Sequence, residues 1–155
     1  SLQPAATTIS VREAAWKGNV SALAAHLKAG ADLGAKLPGA FGTLTPAQIA
    51  AIYNHSSVLR FLHEAGVNLT VWDDEGMTPA HYAAENGHVE ALEALAEAGA
   101  DLGVNEKCPG ARFCQQDTPL HIAARSGNVE MLKIIHKAGV NLDAASPWNG
   151  ATPAH

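Results

Sequence analysis

Two stretches of the chain, residues 78–102 and 118–142, are near copies of each other, and this duplication constrains the fold more than any other feature. They read TPAHYAAENGHVEALEALAEAGADL and TPLHIAARSGNVEMLKIIHKAGVNL. Each begins with Thr-Pro, continues with an Ala-Ala pair and a glycine, and carries a second glycine twelve residues later. Other segments fit the same slot: ISVREAA from Ile9, TPAQIAA from Thr45 and TPAH from Thr152. Self-similarity at a fixed period predicts an array of four units and the start of a fifth.

The spacing of apolar residues within each unit predicts two short antiparallel helices. In the third unit, apolar residues recur at helical spacing from Ala80 and again from Val89, with a break between the two runs. Thr78 is a suitable N-cap because its hydroxyl can accept a free backbone N–H, and Pro79 fits the first helical turn. Left-handed turns between paired helices are expected at Gly18, Asn54, Gly87 and Gly127. The helices are expected at about 10–17, 20–28, 46–53, 56–64, 79–86, 89–97, 119–126 and 129–137.

The Thr-Pro opening, the Ala-Ala pair and the two glycines of each unit resemble the ankyrin repeat. This resemblance implies an all-α solenoid of stacked antiparallel helix pairs joined by hairpin loops. It implies a single domain over residues 1–155, with repeats at approximately 5–37, 38–72, 73–105 and 106–146 and a partial repeat at 147–155. It also implies that the histidine of the Thr-Pro motif ties adjacent hairpins together by hydrogen bonds, at His81, His121 and His155.

The resemblance implies a non-catalytic scaffold that binds a protein or peptide on its concave face, through the hairpin tips and the first helices. Mapped residue by residue onto this chain, the partner-binding positions are Trp16, Leu44, Ile52, Tyr53, Trp72, Asp74, Glu75, Met77, Glu85, Arg125 and Trp148. All three tryptophans fall in these positions, although aromatic residues make up only 5% of the chain. Because Trp and Tyr carry much of the binding energy of interfaces, this placement favours a binding surface.

Each aromatic position also has a structural interpretation. Trp16 either binds a partner or folds over the first unit as a cap. Trp72 and Tyr53 lie in neighbouring elements of interior units, and they either form an apolar binding cluster or pack the hairpins against each other. Asp74 and Glu75 are either a solvated turn or, beside Trp72, acceptors for a cation next to an aromatic face.

Composition narrows the classes of partner. The formal charge of −5 and the total of only 10 Lys and Arg argue against nucleic acid, and we expect a basic partner with apolar anchors. No apolar run is long enough to span a bilayer, and the first thirty residues lack a secretory pattern. We therefore expect a soluble protein in the cytoplasm, or in a host cytoplasm if it is a secreted effector. No catalytic, metal or cofactor motif is recognised.

The longer connections are expected after the first and third units, where LPGA and CPGA occur. We expect Cys108 and Cys114 of the second connection to be a reduced pair, with a disulfide as the alternative.

Since TPAH begins a fifth unit at the end of the sequence, we expect a fragment of a longer array. In such a fragment no complete unit follows the fourth one, so we expect little to cover its apolar residues Leu132, Ile134 and Ile135. We expect a monomer. Self-association through the open end is one alternative function, and a recognition segment of a larger enzyme or effector is another.

Overall fold

The computed structural model describes residues 9–40, 42–103 and 117–140. Within these ranges the chain forms four pairs of α-helices and one β-hairpin. The first helices of the pairs are α1 (Val11–Lys17), α3 (Pro46–Ile52), α5 (Pro79–Glu85) and α7 (Pro119–Ser126). The second helices are α2 (Val20–Lys28), α4 (Ser56–Glu64), α6 (Val89–Glu97) and α8 (Val129–Lys137). The hairpin consists of β1 (Leu37–Gly39) and β2 (Gly42–Leu44). The predicted all-α solenoid is confirmed, and the expected helix limits are correct to within one residue.

The helix pairs stack in two layers. First helices pack against first helices and second helices against second helices, while each pair also packs internally. The first layer contributes mainly alanine to the core, including Ala14, Ala50 and Ala83, and the second layer contributes leucine, including Leu59 and Leu92. Because the distance between packed helices depends on side-chain size, alanine brings the first helices close together. None of the described helices is long and apolar enough to cross a membrane.

The apolar residues of α8 in the fourth repeat are more buried than expected. Ile135 is fully buried, so the prediction that little covers it is wrong. It belongs to the hydrophobic core that includes residues of all four repeats. Leu132 and Ile134 are half-buried and pack against the same core.

The Thr-Pro motifs begin three of the first helices with the same reciprocal cap. In each, the threonine hydroxyl accepts the N–H of the residue three positions later, whose side chain accepts the threonine N–H. The pairs are Thr45 with Gln48, Thr78 with His81, and Thr118 with His121. This arrangement satisfies two backbone donors at each helix N-terminus. The predicted cap at Thr78 is therefore confirmed.

The same side chains connect one repeat to the next. His81 Nε2 donates to the carbonyl of Asp117 at 3.0 Å. Gln48 occupies the corresponding position one repeat earlier, and its amide donates to the carbonyls of Val71 and Met77 at 2.8 and 3.1 Å. The implied role of His81 is thus confirmed, whereas His121 Nε2 is buried without a hydrogen-bond partner in the described part of the chain.

The turns between paired helices add a second set of connections. Gly18, Asn54, Gly87 and Gly127 all have the predicted left-handed backbone. The Asn54 side chain reaches the next repeat, where it accepts the N–H of Ala91 and donates to Glu90, each at 3.1 Å. It thereby caps α6, whose own N-cap residue makes no side-chain cap bond. His55 and His88, which follow two of these turns, bond the carbonyls of Trp16 and Ala51 in the preceding repeat at 2.8 and 3.0 Å.

The hairpin follows the first repeat, in one of the two longer connections expected. Leu37 pairs with Leu44 and Gly39 pairs with Gly42. The guanidinium of Arg12 on α1 approaches the carbonyls of Leu37 and Pro38, each at 3.4 Å. This contact holds the hairpin against the first helix. The second longer connection, with Cys108 and Cys114, lies outside the described residues, as do Trp148 and His155.

Two turn glycines provide a matched pair of substitutions. Gly18 and Gly87 have nearly equal φ angles of 74° and 70°. An added β-carbon at Gly87 would meet nothing within 4 Å, whereas at Gly18 it would lie 2.7 Å from Nδ1 of His55. We expect Gly87→Ala to lower the free energy of unfolding by about 1 kcal/mol through backbone strain alone. Gly18→Ala should cost about 1 kcal/mol more because His55 must leave the carbonyl of Trp16. Urea denaturation measures both values, and equal losses would contradict this role of His55.

The burial of His121 should make the free energy of unfolding depend on pH. Burial lowers its pKa, Asp117 opposes this change, and Arg125 adds to it. The unfolded chain therefore takes up the proton at a higher pH than the folded chain. The stability that neutral His121 contributes is complete above the ordinary histidine pKa of about 6.5 and is lost as the pH falls below it. We expect His121→Gln, which places at this position the residue found at Gln48, to lose less stability on acidification from about pH 7 to about pH 5. Denaturation curves that change identically with pH in both proteins would contradict this role.

Candidate binding groove

A groove of about 710 Å³ lies between the hairpin, the loop that begins the third repeat, and the first helices of three repeats. We call it the inner groove. Its lining residues are Ser10, Arg12, Glu13, Trp16, Gly42, Leu44, Ile49, Ile52, Tyr53, Glu75 and Tyr82. The volume falls within the range of sites that enclose a small ligand or a few side chains.

An aromatic pair forms one end of the inner groove. Trp16 lies near the C-terminus of α1, and Tyr53 ends α3 in the next repeat. Their ring centroids are 6.3 Å apart at an interplanar angle of 70°, which is an edge-to-face contact. Trp16 is 49% exposed and Tyr53 is 50% exposed. The contact orders the two rings while it leaves half of each available to another molecule.

The apolar part of the groove lies beside this pair. Ile49 is buried and Ile52 is half-buried on α3, and half-buried Leu44 comes from β2. The three side chains come from two elements because the hairpin and α3 are separated only by the capping residue Thr45. They form an apolar surface that continues from the aromatic rings.

The loop that begins the third repeat contributes Glu75 to the groove, and buried Asp73 maintains the shape of this loop. Asp73 is only 6% exposed, and it organises the loop by accepting the N–H groups of Glu75 and Met77, each at 2.9 Å. It also accepts a hydrogen bond from the hydroxyl of Tyr82. Burial raises the pKa of Tyr82, and so do the hydrogen bond to Asp73 and the charges of Asp73, Glu75 and Glu85. Tyr82 therefore stays protonated and able to donate to Asp73.

Two cations of α1 lie in or near the groove, and only Arg12 lines it. Lys17 pairs with Glu13 at 2.7 Å on the exposed face of α1. Arg12 is directed towards the hairpin carbonyls. In the described ranges, neither Asp73 nor Glu75 has an ion-pair partner.

The structure brings together part of the predicted binding set. Trp16, Leu44, Ile52, Tyr53 and Glu75 all line the inner groove. The aromatic partner of Tyr53 is Trp16, whereas the expected neighbour Trp72 is half-buried and does not line the groove. Trp148 lies outside the described residues.

The other predicted positions have different surroundings. Exposed Asp74 accepts hydrogen bonds from the hydroxyl and the N–H of Thr43, at 2.6 and 3.3 Å, and lies 4.0 Å from Lys36. The Thr43 hydroxyl is the main cause that lowers the pKa of Asp74, followed by the Thr43 N–H. Asp74 therefore stays ionised and fastens the hairpin to the third repeat. Met77 is half-buried, Glu85 is exposed on α5, and Arg125 pairs with Asp117 at 2.5 Å.

Several groove residues were not predicted. Tyr82, Ile49 and Glu13 line the groove, and none of them was among the predicted binding residues. The sequence contains one feature that could have indicated Tyr82 as a binding residue. The chain has only two tyrosines, and this one lies on a first helix. Residues 9–40, 42–103 and 117–140 contain no cluster of His, Cys, Asp or Glu placed to hold a metal ion.

Comparison with protein families gives two matches. A family model described as ankyrin repeats (3 copies) matches residues 11–106, which is more than half of the chain. A second model, described as ankyrin repeats (many copies), matches residues 83–136. No curated protein matches the chain significantly.

Proposed function

Since the chain belongs to the ankyrin repeat family, whose repeats are generally protein–protein interaction modules, we propose that it is a non-catalytic scaffold that binds a protein or peptide on its concave face. The inner groove is the proposed binding site. The observation that carries this proposal is the half-exposed pair of Trp16 and Tyr53 beside an apolar surface.

The aromatic pair has the properties of a binding surface. A large apolar side chain left half in water gains free energy when a partner covers it, at roughly 25 cal/mol per Å² of apolar area buried. Two such rings from different repeats, already ordered by their mutual contact, lose little conformational entropy on binding. Tryptophan and tyrosine are also the residues most often found at the energetic centre of interfaces.

The other predicted positions within the described residues form the proposed rim of this site. Rim contacts contribute mainly by excluding water and by selecting a partner of complementary charge. We place here Trp72, Asp74, Met77, Glu85 and Arg125. The acidic members and the total charge of −5 support a basic partner with apolar anchors.

A phage library of random linear peptides, selected on the immobilised chain, tests the proposal. We expect selected peptides to bind the native chain and to lose binding to the double variant Trp16→Ala, Tyr53→Ala. Peptides that bind the double variant as well as the native chain would show that the inner groove is not the binding site.

A further inference from the structure

We propose that the inner groove receives an acidic side chain of its partner, whose carboxylate pairs with Arg12 while a neighbouring apolar residue of the partner covers the Trp16–Tyr53 pair. The inference rests on the proposed function and specifies the chemistry of the bound segment. It concerns the groove alone, so it is compatible with basic residues of the partner at the acidic rim.

Arg12 is a half-buried cation without an ion-pair partner. Its side chain lines the groove from the first turn of α1. In the described part of the chain, no carboxylate lies within ion-pair distance of its guanidinium. Glu13, the next residue, is paired with Lys17 at 2.7 Å instead. Because water screens a half-buried charge less than an exposed one, a partner's carboxylate at Arg12 gains more free energy than a surface ion pair.

The hairpin fixes the Arg12 guanidinium and leaves one edge of it available. Nη1 donates to the carbonyls of Leu37 and Pro38, each at 3.4 Å. A β-carbon added at Gly39 would lie 2.3, 2.5 and 2.7 Å from Nη2, Cζ and Nη1, so Gly39 packs on the flat face of the guanidinium. Neither contact uses the edge formed by Nε and Nη2, and no described residue accepts a hydrogen bond from these atoms. Such an edge binds both oxygens of a carboxylate through two parallel hydrogen bonds.

Ser10 provides a further donor on the same wall of the groove. It lines the groove with Arg12, and its Oγ accepts the N–H of Glu13 at 3.0 Å. A serine hydroxyl can donate one hydrogen bond while it accepts others. Within the described ranges the Ser10 hydroxyl donates to no other residue, so its hydrogen is available to the same carboxylate.

Glu75 does not neutralise Arg12. It lines the groove from the third repeat, whereas Arg12 lies in the first, and the two side chains are not within ion-pair distance. Glu75 is exposed, so water and salt screen its charge. The groove therefore offers a cation at the first repeat, on the same helix as Trp16.

The position of Arg12 relative to the aromatic pair predicts the spacing of the partner's residues. Arg12 and Trp16 are four positions apart on α1. Their β-carbons are therefore expected about 5–6 Å apart on one face of the helix. In an extended peptide, side chains two positions apart point to the same side and are separated by about 6–7 Å. We therefore expect the acidic residue two positions from a large apolar residue.

The test uses one peptide selected on the native chain from the phage library of random linear peptides. We expect selected peptides to share an acidic residue two positions from a large apolar one. The peptide is then synthesised in two forms, with the acidic residue and with the corresponding amide, asparagine or glutamine. We expect the amide form to bind the native chain about tenfold more weakly, measured by isothermal titration calorimetry.

The protein variants locate the interaction. Arg12→Gln should reduce the difference between the two peptides to about twofold or less. Gly39→Ala should also reduce it, because the added β-carbon displaces the guanidinium without removing its charge. Arg60→Gln is the matched control, because Arg60 is exposed on α4 and does not line the groove, and it should leave the difference unchanged. A loosened hairpin that weakens both peptides alike does not change this ratio.

The outcomes separate this inference from the proposed function. Selected peptides that need Trp16 and Tyr53 but lack an acidic residue, or that bind equally well in the amide form, would overturn the carboxylate anchor and leave the binding groove intact. The same ratio of affinities in Arg12→Gln as in the native chain would also overturn it. Selection that yields no groove-dependent peptide would contradict both proposals.

Discussion

Replacement of His81 with leucine is expected to lower the free energy of unfolding by about 3 kcal/mol. The His81 ring is fully buried, and both of its nitrogens are used. Nδ1 accepts the N–H of Thr78 at 3.1 Å, and Nε2 donates to the carbonyl of Asp117 at 3.0 Å. Leucine has similar bulk but offers neither group, so two buried backbone groups in neighbouring repeats lose their partners. Each unsatisfied group costs about 1–3 kcal/mol.

The chain itself supplies the control for this substitution. Gln48 occupies the corresponding position, where its side-chain oxygen accepts the N–H of Thr45 at 2.8 Å and its nitrogen donates to the next repeat. We therefore expect His81→Gln to retain most of the stability that His81→Leu loses. Urea denaturation of the three proteins measures the difference. If glutamine and leucine cost the same, the connection between repeats would depend on packing rather than on these hydrogen bonds.

Tyr53→Ala and Trp16→Ala are each expected to weaken binding of a groove-selected peptide by about 2 kcal/mol, which is roughly 30-fold in affinity. Each substitution removes one ring of the pair and exposes the apolar surface beside it to water. The free energy of unfolding should fall by only about 1 kcal/mol, the value of an aromatic contact between two half-exposed rings. Calorimetric titration and thermal denaturation of the same samples separate the two effects.

Two controls accompany this prediction. Tyr53→Phe keeps the ring and its contact with Trp16, so it should bind nearly as well as the native chain. Val129→Ala removes an exposed apolar side chain of α8, 58% exposed, which lies outside the groove, and it should leave binding unchanged. A large fall in melting temperature with unaltered peptide affinity would mean that the aromatic pair is structural.

Features governed by local backbone chemistry were predictable from the sequence. Helix limits could be predicted because threonine caps, proline in the first turn and left-handed turn residues act within a few positions of the chain. Asn54 illustrates this, since its left-handed backbone was expected from its place in the repeat and is observed at φ 61°.

Contacts between repeats were harder to predict. The pairing of Tyr53 with Trp16, rather than with Trp72, depends on how one repeat is rotated on the next, which no local pattern encodes. The turn pattern predicted the backbone of Asn54 but not that its side chain bonds the following repeat, nor that His55 bonds the preceding one. The bond from Tyr82 to Asp73 was missed because it joins a helix to a loop whose shape Asp73 itself maintains.

Backbone amide chemical shifts of the isotope-labelled chain, recorded while a groove-selected peptide is added, test most directly whether the inner groove is the binding site. We expect the largest changes near Trp16, near Tyr53 and in the loop from Asp73 to Met77, with small changes in α4 and α6. Changes confined to those second helices, with Trp16 and Tyr53 unaffected, would contradict the proposed site.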